Sequence, residues 1–434
     1  MTQMSADNSR SLNWKQAVPW ALYDWANSAF ATSVMAAFVP VLNKEYWSAG
    51  ASQTVSSFRL GMTIALASLA VAVLAPALGA IADCGRAKKR FLLFFAGQGV
   101  VMTVALHFVA QGTWALGLTF YALALIGFSG ANIFYDSLLI NVACHNKLDI
   151  VSALGYALGY LGGGALFALN VFMVLHPATF GLADKQEAVR WAFITVGAWW
   201  AVFTIPLLVF VPEPKTDAAK GSSLDIIKAG LGQLWQTIHE IRNLKGVALF
   251  LVGYWLYIDG VDTVVQMAVD YGQALHFPTE DLIGALLITQ FVGFPAALVF
   301  GKLGEKLGAK AAILIGLAVY VGVCVWGYFM RSPGEFYGLA VVVGLVQGGV
   351  QALSRSLYAR LIPADKAGEF FGFYNMLGKF AAIIGPALMG LTALLTENSR
   401  ISILAIILLF AAGAAFLLRV QTSRDRSELG GECH

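Results

Sequence analysis

Charge is scarce in this chain. Only 12% of its 434 residues are Asp, Glu, Lys or Arg, about half the share of an average soluble domain, which is roughly 25%. That excludes a water-facing globular enzyme and a disordered scaffold. Neither sign is in excess: 28 basic against 25 acidic residues leave a net charge of +3, too balanced for the phosphate-binding surface of a nucleic-acid protein. Cysteine is rare as well. Cys84, Cys144, Cys324 and Cys433 show no metal-ligand spacing and no clustering, so neither a zinc site nor a disulfide framework is indicated, and no cofactor is expected. The first thirteen residues lack the basic stretch and small-residue cleavage site of a secretory signal, so the first apolar run is expected to be a retained span. The chain also has no G-x-G-D, no H-E-x-x-H and no G-x-S-x-G. Tyr23-Asp24 and Tyr135-Asp136 therefore lack the partner motif of an intramembrane aspartyl protease, and no enzyme is expected.

What the chain does have is apolar length. Hydrophobic residues make up 58% and the mean hydropathy is +0.72. A membrane-spanning helix needs about 20 mostly apolar residues. Such runs fall at about 16–41, 59–82, 91–110, 114–141, 150–175, 190–211, 246–270, 281–301, 310–330, 336–359, 370–395 and 401–419. The expectation is an all-α polytopic membrane protein with twelve transmembrane helices. One connection is long. It opens at Pro212 and carries Leu224, Ile227, Leu231, Leu234, Ile238 and Ile241 at helical spacing, which predicts an amphipathic helix on the membrane surface. The chain thus divides into an N-terminal six-helix half (1–211), a cytoplasmic linker (212–245) and a C-terminal six-helix half with a short tail (246–434). Twenty of the 28 Lys and Arg residues fall on the side of both termini and the linker, against six on the other. By the positive-inside rule both termini are cytoplasmic, as in a multi-pass protein of the cell inner membrane.

The halves repeat each other. Trp20, Asp24, Asn27 and Ser28 in the first span match Trp255, Asp259, Asp262 and Thr263 in the seventh. Gly79-Ala80-Ile81-Ala82-Asp83 after the second span matches Gly301-Lys302-Leu303-Gly304-Glu305 after the eighth. Parallel repeats related by an axis along the membrane normal are a transporter architecture. Glycines at such a place let helices approach closely, and the flanking acids and bases can latch a helix end.

From Gly301 through Glu305 and Gly308 to Lys310 the chain reads G-x3-[DE]-x2-G-x-[KR] in full, and in this it resembles the major facilitator superfamily. In the first copy Ala87 stands at the usual arginine place, leaving Arg86, Lys88 and Lys89 as alternative partners of Asp83. Tyr23-Asp24-Trp25-Ala26-Asn27-Ser28-Ala29-Phe30, Asp259-Gly260-Val261-Asp262-Thr263, Gln351-Ala352-Leu353-Ser354-Arg355-Ser356 and Phe370-Phe371-Gly372-Phe373-Tyr374-Asn375 with Gly378-Lys379 are similar to the UMF group of that superfamily, related to the autophagy-associated vacuolar amino-acid effluxers of fungi. The resemblance implies a secondary transporter with the two-repeat facilitator fold, in which spans one, four, seven, ten and eleven surround a central cavity.

Charges inside spans cost at least about 2.5–3.5 kcal/mol each on insertion scales. Away from the span ends they fall in just those five spans; the third, sixth, ninth and twelfth carry none in their interiors. Asp24 shares a face with Asn27 and is expected to bind a proton or a substrate amine. Asp259, Asp262 and Gln266 lie on one face of span seven, where two carboxylates repel unless a proton or cation intervenes. Asp270, a turn further, is expected to be solvated. Lys379, one turn beyond Asn375, must meet an acid or an anionic group. Gln347, Gln351 and Arg355 form a polar face of span ten, where the glutamines suit a cavity. Gly79, Asp83, Arg86, Asp136, Gly301, Glu305, Gly308, Lys310 and Arg355 are assigned to gating, with Glu305 and the Arg86 to Arg90 cluster as partners for Arg355 and Asp136. The glycines of span five, Gly155, Gly159 and Gly162 to Gly164, suit close packing or bending. The reading is a monomeric secondary transporter in a lipid bilayer, moving a small polar organic solute, amino-acid-like, by proton-coupled alternating access. A uniporter, an exporter of another amphipathic metabolite and a lipid translocator are the competing readings.

Overall fold

The computed structural model describes residues 12–85, 87–213, 232, 235, 237, 244–268, 271–272, 275–381, 384–397 and 399–421. Among them are twelve helices long and apolar enough to cross a membrane. They are α1 (Trp14–Trp47), α2 (Val55–Cys84), α3 (Lys88–Phe108), α4 (Trp114–Val142), α5 (His145–Leu175), α6 (Lys185–Phe210), α7 (Lys245–Gln266), α8 (Gly284–Leu307), α9 (Ala309–Phe329), α10 (Pro333–Leu361), α11 (Ala364–Thr396) and α12 (Arg400–Leu418). Helix is the outcome because a segment in hydrocarbon must satisfy its own backbone N–H and C=O groups. Large apolar side chains such as Leu66, Leu69, Val73, Phe94 and Val209 remain exposed on the outside of the molecule, as expected where lipid is the solvent.

Four helices depart from the sequence expectation. The G-x3-D/E segments are helical rather than loops: α2 continues through Gly79 and Asp83, and α8 through Gly301 and Glu305. A charged last turn is tolerated where a helix emerges into water, and there the carboxylates gain fixed directions. Helix α1 runs on to Trp47 through two π-helical stretches, Phe30–Phe38 and Asn43–Trp47. Helix α11 is interrupted, with one segment over Ala367–Phe380 and a second over Ile384–Thr396. The amphipathic linker helix lies outside the described residues, apart from Gly232, Trp235 and Thr237, as do Arg86 and Asp270.

Within the first six spans, α1 packs on α5 and α6, and α4 on α2 and α3; within the last six, α10 packs on α8 and α9, and α7 on α12. The two sets meet where α2 crosses α11 and where α5 runs against α8 and α10. At the first crossing a Cβ on Gly79 would overlap the Gly368 carbonyl, so only glycine permits this approach. This crossing lies toward the face that carries the start of α1 and the end of α12, called the terminal face below.

Candidate functional site

Polar contacts between the two halves are layered inward from the terminal face. In the outermost layer Lys147 pairs with Glu305 at 2.9 Å. Two residues further along, Asp149 on α5 is buried, pairs with Arg360 at 2.7 Å and accepts a hydrogen bond from the Ser356 hydroxyl. Beside it Gly301 packs on Ala153, and Gly304 on Leu353 and Asp149. On the α2 side Asp83 is buried and pairs with Lys88 at 2.7 Å. It also accepts from the backbone N–H groups of Gly368 at 3.1 Å and Glu369 at 2.9 Å. These belong to the first turn of α11, so the carboxylate both caps free donors and meets the positive end of the helix dipole.

The innermost layer centres on Arg355 of α10, which is buried. Its guanidinium pairs with Asp136 of α4 at 3.0 Å and Asp24 of α1 at 3.3 Å. It donates to the Ser152 hydroxyl and carbonyl of α5, both at 2.9 Å. The ring faces of Trp20, Tyr135 and Tyr156 lie 4.9, 5.3 and 4.5 Å from its central carbon. Asp24 accepts from the Tyr135 hydroxyl at 2.7 Å, and Asp136 from the Asn375 amide at 3.1 Å. A Cβ on Gly155 would crowd the Asp24 carboxylate and the Arg355 guanidinium, so the α5 glycines admit the charge cluster as well as the α1 backbone. Arg355 thus binds both Asp136 and Asp24; Glu305, expected as a partner, pairs with Lys147 instead. Lys310 donates to the Val420 carbonyl at 2.9 Å and so fastens the end of α12, while Gly308 makes the α8–α9 turn at φ +91°.

Beyond this layer, away from the terminal face, polar groups are less fully engaged. The Asn27 amide donates to Asn132 at 2.6 Å. Lys379, at the end of the first α11 segment, is partly exposed in mid-span, and its ammonium lies 5.9 Å from the Phe128 ring on the opposite half. It forms no ion pair with Asp259 or Asp262. Gln347 has a buried side-chain oxygen without a partner, and Gln351 is partly exposed one turn from Arg355. Tyr254 and Tyr374 stack at 4.2 Å. Gln266 is exposed at the far end of α7.

Asp259 and Asp262 have separate surroundings. Asp259 is fully buried and accepts from the backbone N–H groups of Ile384 at 3.0 Å and Gly385 at 2.8 Å, and from the Thr263 hydroxyl at 3.3 Å. Its carboxylate caps the second α11 segment. Asp262 is partly exposed.

Residue spacing did not reveal Tyr135, Asn132, Asp149 or Ser152. A signal was present: Asp136-Ser137-Leu138 and Lys147 recur 219 residues later as Arg355-Ser356-Leu357 and Lys366. The two central partners are repeat mates of opposite charge.

This architecture is that of a two-half, twelve-helix membrane protein. Over 94% of this chain and 96% of the other, it superimposes with a TM-score of 0.70, at 13% identity, on the proton:xylose symporter XylE of the major facilitator superfamily. The family model described as "Vacuole effluxer Atg22 like" matches residues 13–148 and 141–430, and the chain belongs to this Atg22-like family of major facilitator superfamily transporters. It is 39% identical to the MFS-type transporter YxiO of Bacillus subtilis, over 95% of this chain and 97% of that one. It is 26% identical to autophagy-related protein 22 of Eremothecium gossypii, over 94% and 91%.

Proposed function

We propose that this membrane transporter is a secondary carrier of a small polar organic solute, amino-acid-like in size and polarity, working by alternating access between residues 1–211 and 246–434. The observation that carries this reading is the position of the cross-half polar contacts. Those at Glu305, Asp149, Asp83 and Arg355 all lie toward the terminal face, while Lys379 and Asp262 keep partial exposure inside their spans. With the terminal face on the cytoplasmic side, as the Lys and Arg distribution supports, this is an outward-open state closed by latches on the inside. The solute sits beyond the latches, among Asn27, Asp262, Gln347, Gln351, Asn375 and Lys379, where charges of both signs and neutral amides are available. Asp24 is the proton-coupling carboxyl: it keeps partial exposure and pairs with Arg355, so taking up a proton there weakens a latch. Asp259 is left to its capping duty, and Asp262 to the solute. The carrier acts as a monomer in the cell membrane, with protons as the coupled ion.

Proteoliposomes test this directly. Under the coupled mechanism, adding substrate to wild-type vesicles changes internal pH, and Asp24→Asn abolishes the pH change. An undiminished pH change in Asp24→Asn would overturn the assignment.

A further inference from the structure

We propose that Trp20, Asp24, Tyr135, Asp136 and Tyr156 form a binding site for the charged end of an organic cation, an amine or a guanidine, and that Arg355 is its built-in occupant in the present state. The proposal rests on the alternating-access reading and names the cargo group that this reading leaves open.

Every member of the site except its occupant comes from the first half. Trp20 and Asp24 are on α1, Tyr135 and Asp136 on α4, and Ser152 and Tyr156 on α5. Three ring faces at 4.5 to 5.3 Å from the guanidinium carbon, with two carboxylates at 3.0 and 3.3 Å, are the combination that recognises organic cations. Ring faces attract the delocalised charge, and the carboxylates supply charge-assisted hydrogen bonds. The site is preorganised without Arg355, because Trp20 stacks on Tyr135 at 4.4 Å, the Trp20 indole donates to the Tyr135 carbonyl at 2.9 Å, and the Tyr135 hydroxyl fixes Asp24.

The charges do not balance within the first half. Arg355 is the cation that faces Asp24 and Asp136, and Asn375, the other second-half donor to Asp136, lies on α11. When the halves part at the terminal face, Arg355 and Asn375 leave together. Two largely buried carboxylates, with side-chain exposures of 14% and 10%, then lose their counter-charge, which is strongly unfavourable. A cation entering the site restores it. The Asp24 side chain keeps 14% exposure, so a cargo ammonium or guanidinium can exchange with the Arg355 side chain as the gate moves. The repeat supports the one-sidedness of the site. The place of Asp136 is taken in the second half by Arg355 itself, 219 residues later, so the second half holds a key where the first holds a lock.

The experiment removes the tethered cation and offers a free one. Purified Arg355→Ala is melted with methylguanidinium chloride, and with urea plus sodium chloride as the neutral, equally sized control. Methylguanidinium should raise the melting temperature saturably, by about 2 °C or more, and the rise should vanish in Arg355→Ala/Asp24→Asn. Equal shifts from both additives, or none, would overturn the site. Arg355→Cys gives a readout independent of purified-protein stability: in membranes, its labelling by a small maleimide should be slowed severalfold by methylguanidinium and not by urea. If the site binds methylguanidinium but wild-type vesicles take up no amine or guanidine, the transport reading fails while the site stands. Uptake of an uncharged solute that methylguanidinium leaves unaffected would overturn the site as the place of the cargo.

Discussion

Asp259 and Asp262 lie three residues apart on one helix, yet one carboxylate closes a break in α11 and the other stays partly exposed. Their spacing suggested a repelling pair with a shared proton or cation. Spacing gives the face of a helix but not what a neighbouring helix presents to it. Here α11 presents two free N–H donors, which a carboxylate satisfies more strongly than any neutral acceptor. Asp259→Ala leaves these donors unpaired and should lower stability by about 2 kcal/mol, measured as a fall in the melting temperature in detergent. Asp259→Asn, which keeps one acceptor oxygen, should lose about half as much. Wild-type stability in Asp259→Ala would show that the cap contributes nothing.

At the scale of helices, the α2–α11 crossing is held by backbone approach as much as by charge. Gly79 lies against the Gly368 carbonyl, and Asp83, one turn on, caps the start of α11. A leucine at Gly79 cannot be accommodated by a rotamer change, because what it meets is backbone. Gly79→Leu should therefore part the terminal face while leaving each half folded. A cysteine placed at Ala75, a buried α2 residue whose carbonyl lies against Gly372 of α11, should label at least tenfold faster in the Gly79→Leu background. Unchanged labelling would mean that the crossing does not hold the gate.

At the scale of the whole molecule, alternating access requires the outermost contact to break in each cycle. Lys147 and Glu305 stand at the seam with side chains 41% and 26% exposed, so the pair itself is worth about 0–1 kcal/mol and serves as a reporter. Lys147→Cys/Glu305→Cys should cross-link under mild oxidation and block transport, with activity returning on reduction. Full transport by the cross-linked protein would rule out opening at this face.

Much of the molecule was legible without coordinates. Twelve spans, two repeats and a concentration of buried charge in spans one, four, seven, ten and eleven follow from hydropathy and position, because lipid makes every intramembrane charge conspicuous. Which charges meet was decided only by tertiary packing. Arg355 was read as a gate residue facing Glu305, but the glycines of α5 let α1 and α10 close around it, and Asp24 and Asp136 became its partners. Asp259 turned inward because α11 breaks opposite it. Sequence periodicity orients a side chain around its own helix; the partner depends on how far two helices approach and where one is interrupted, and both are properties of the assembled pair.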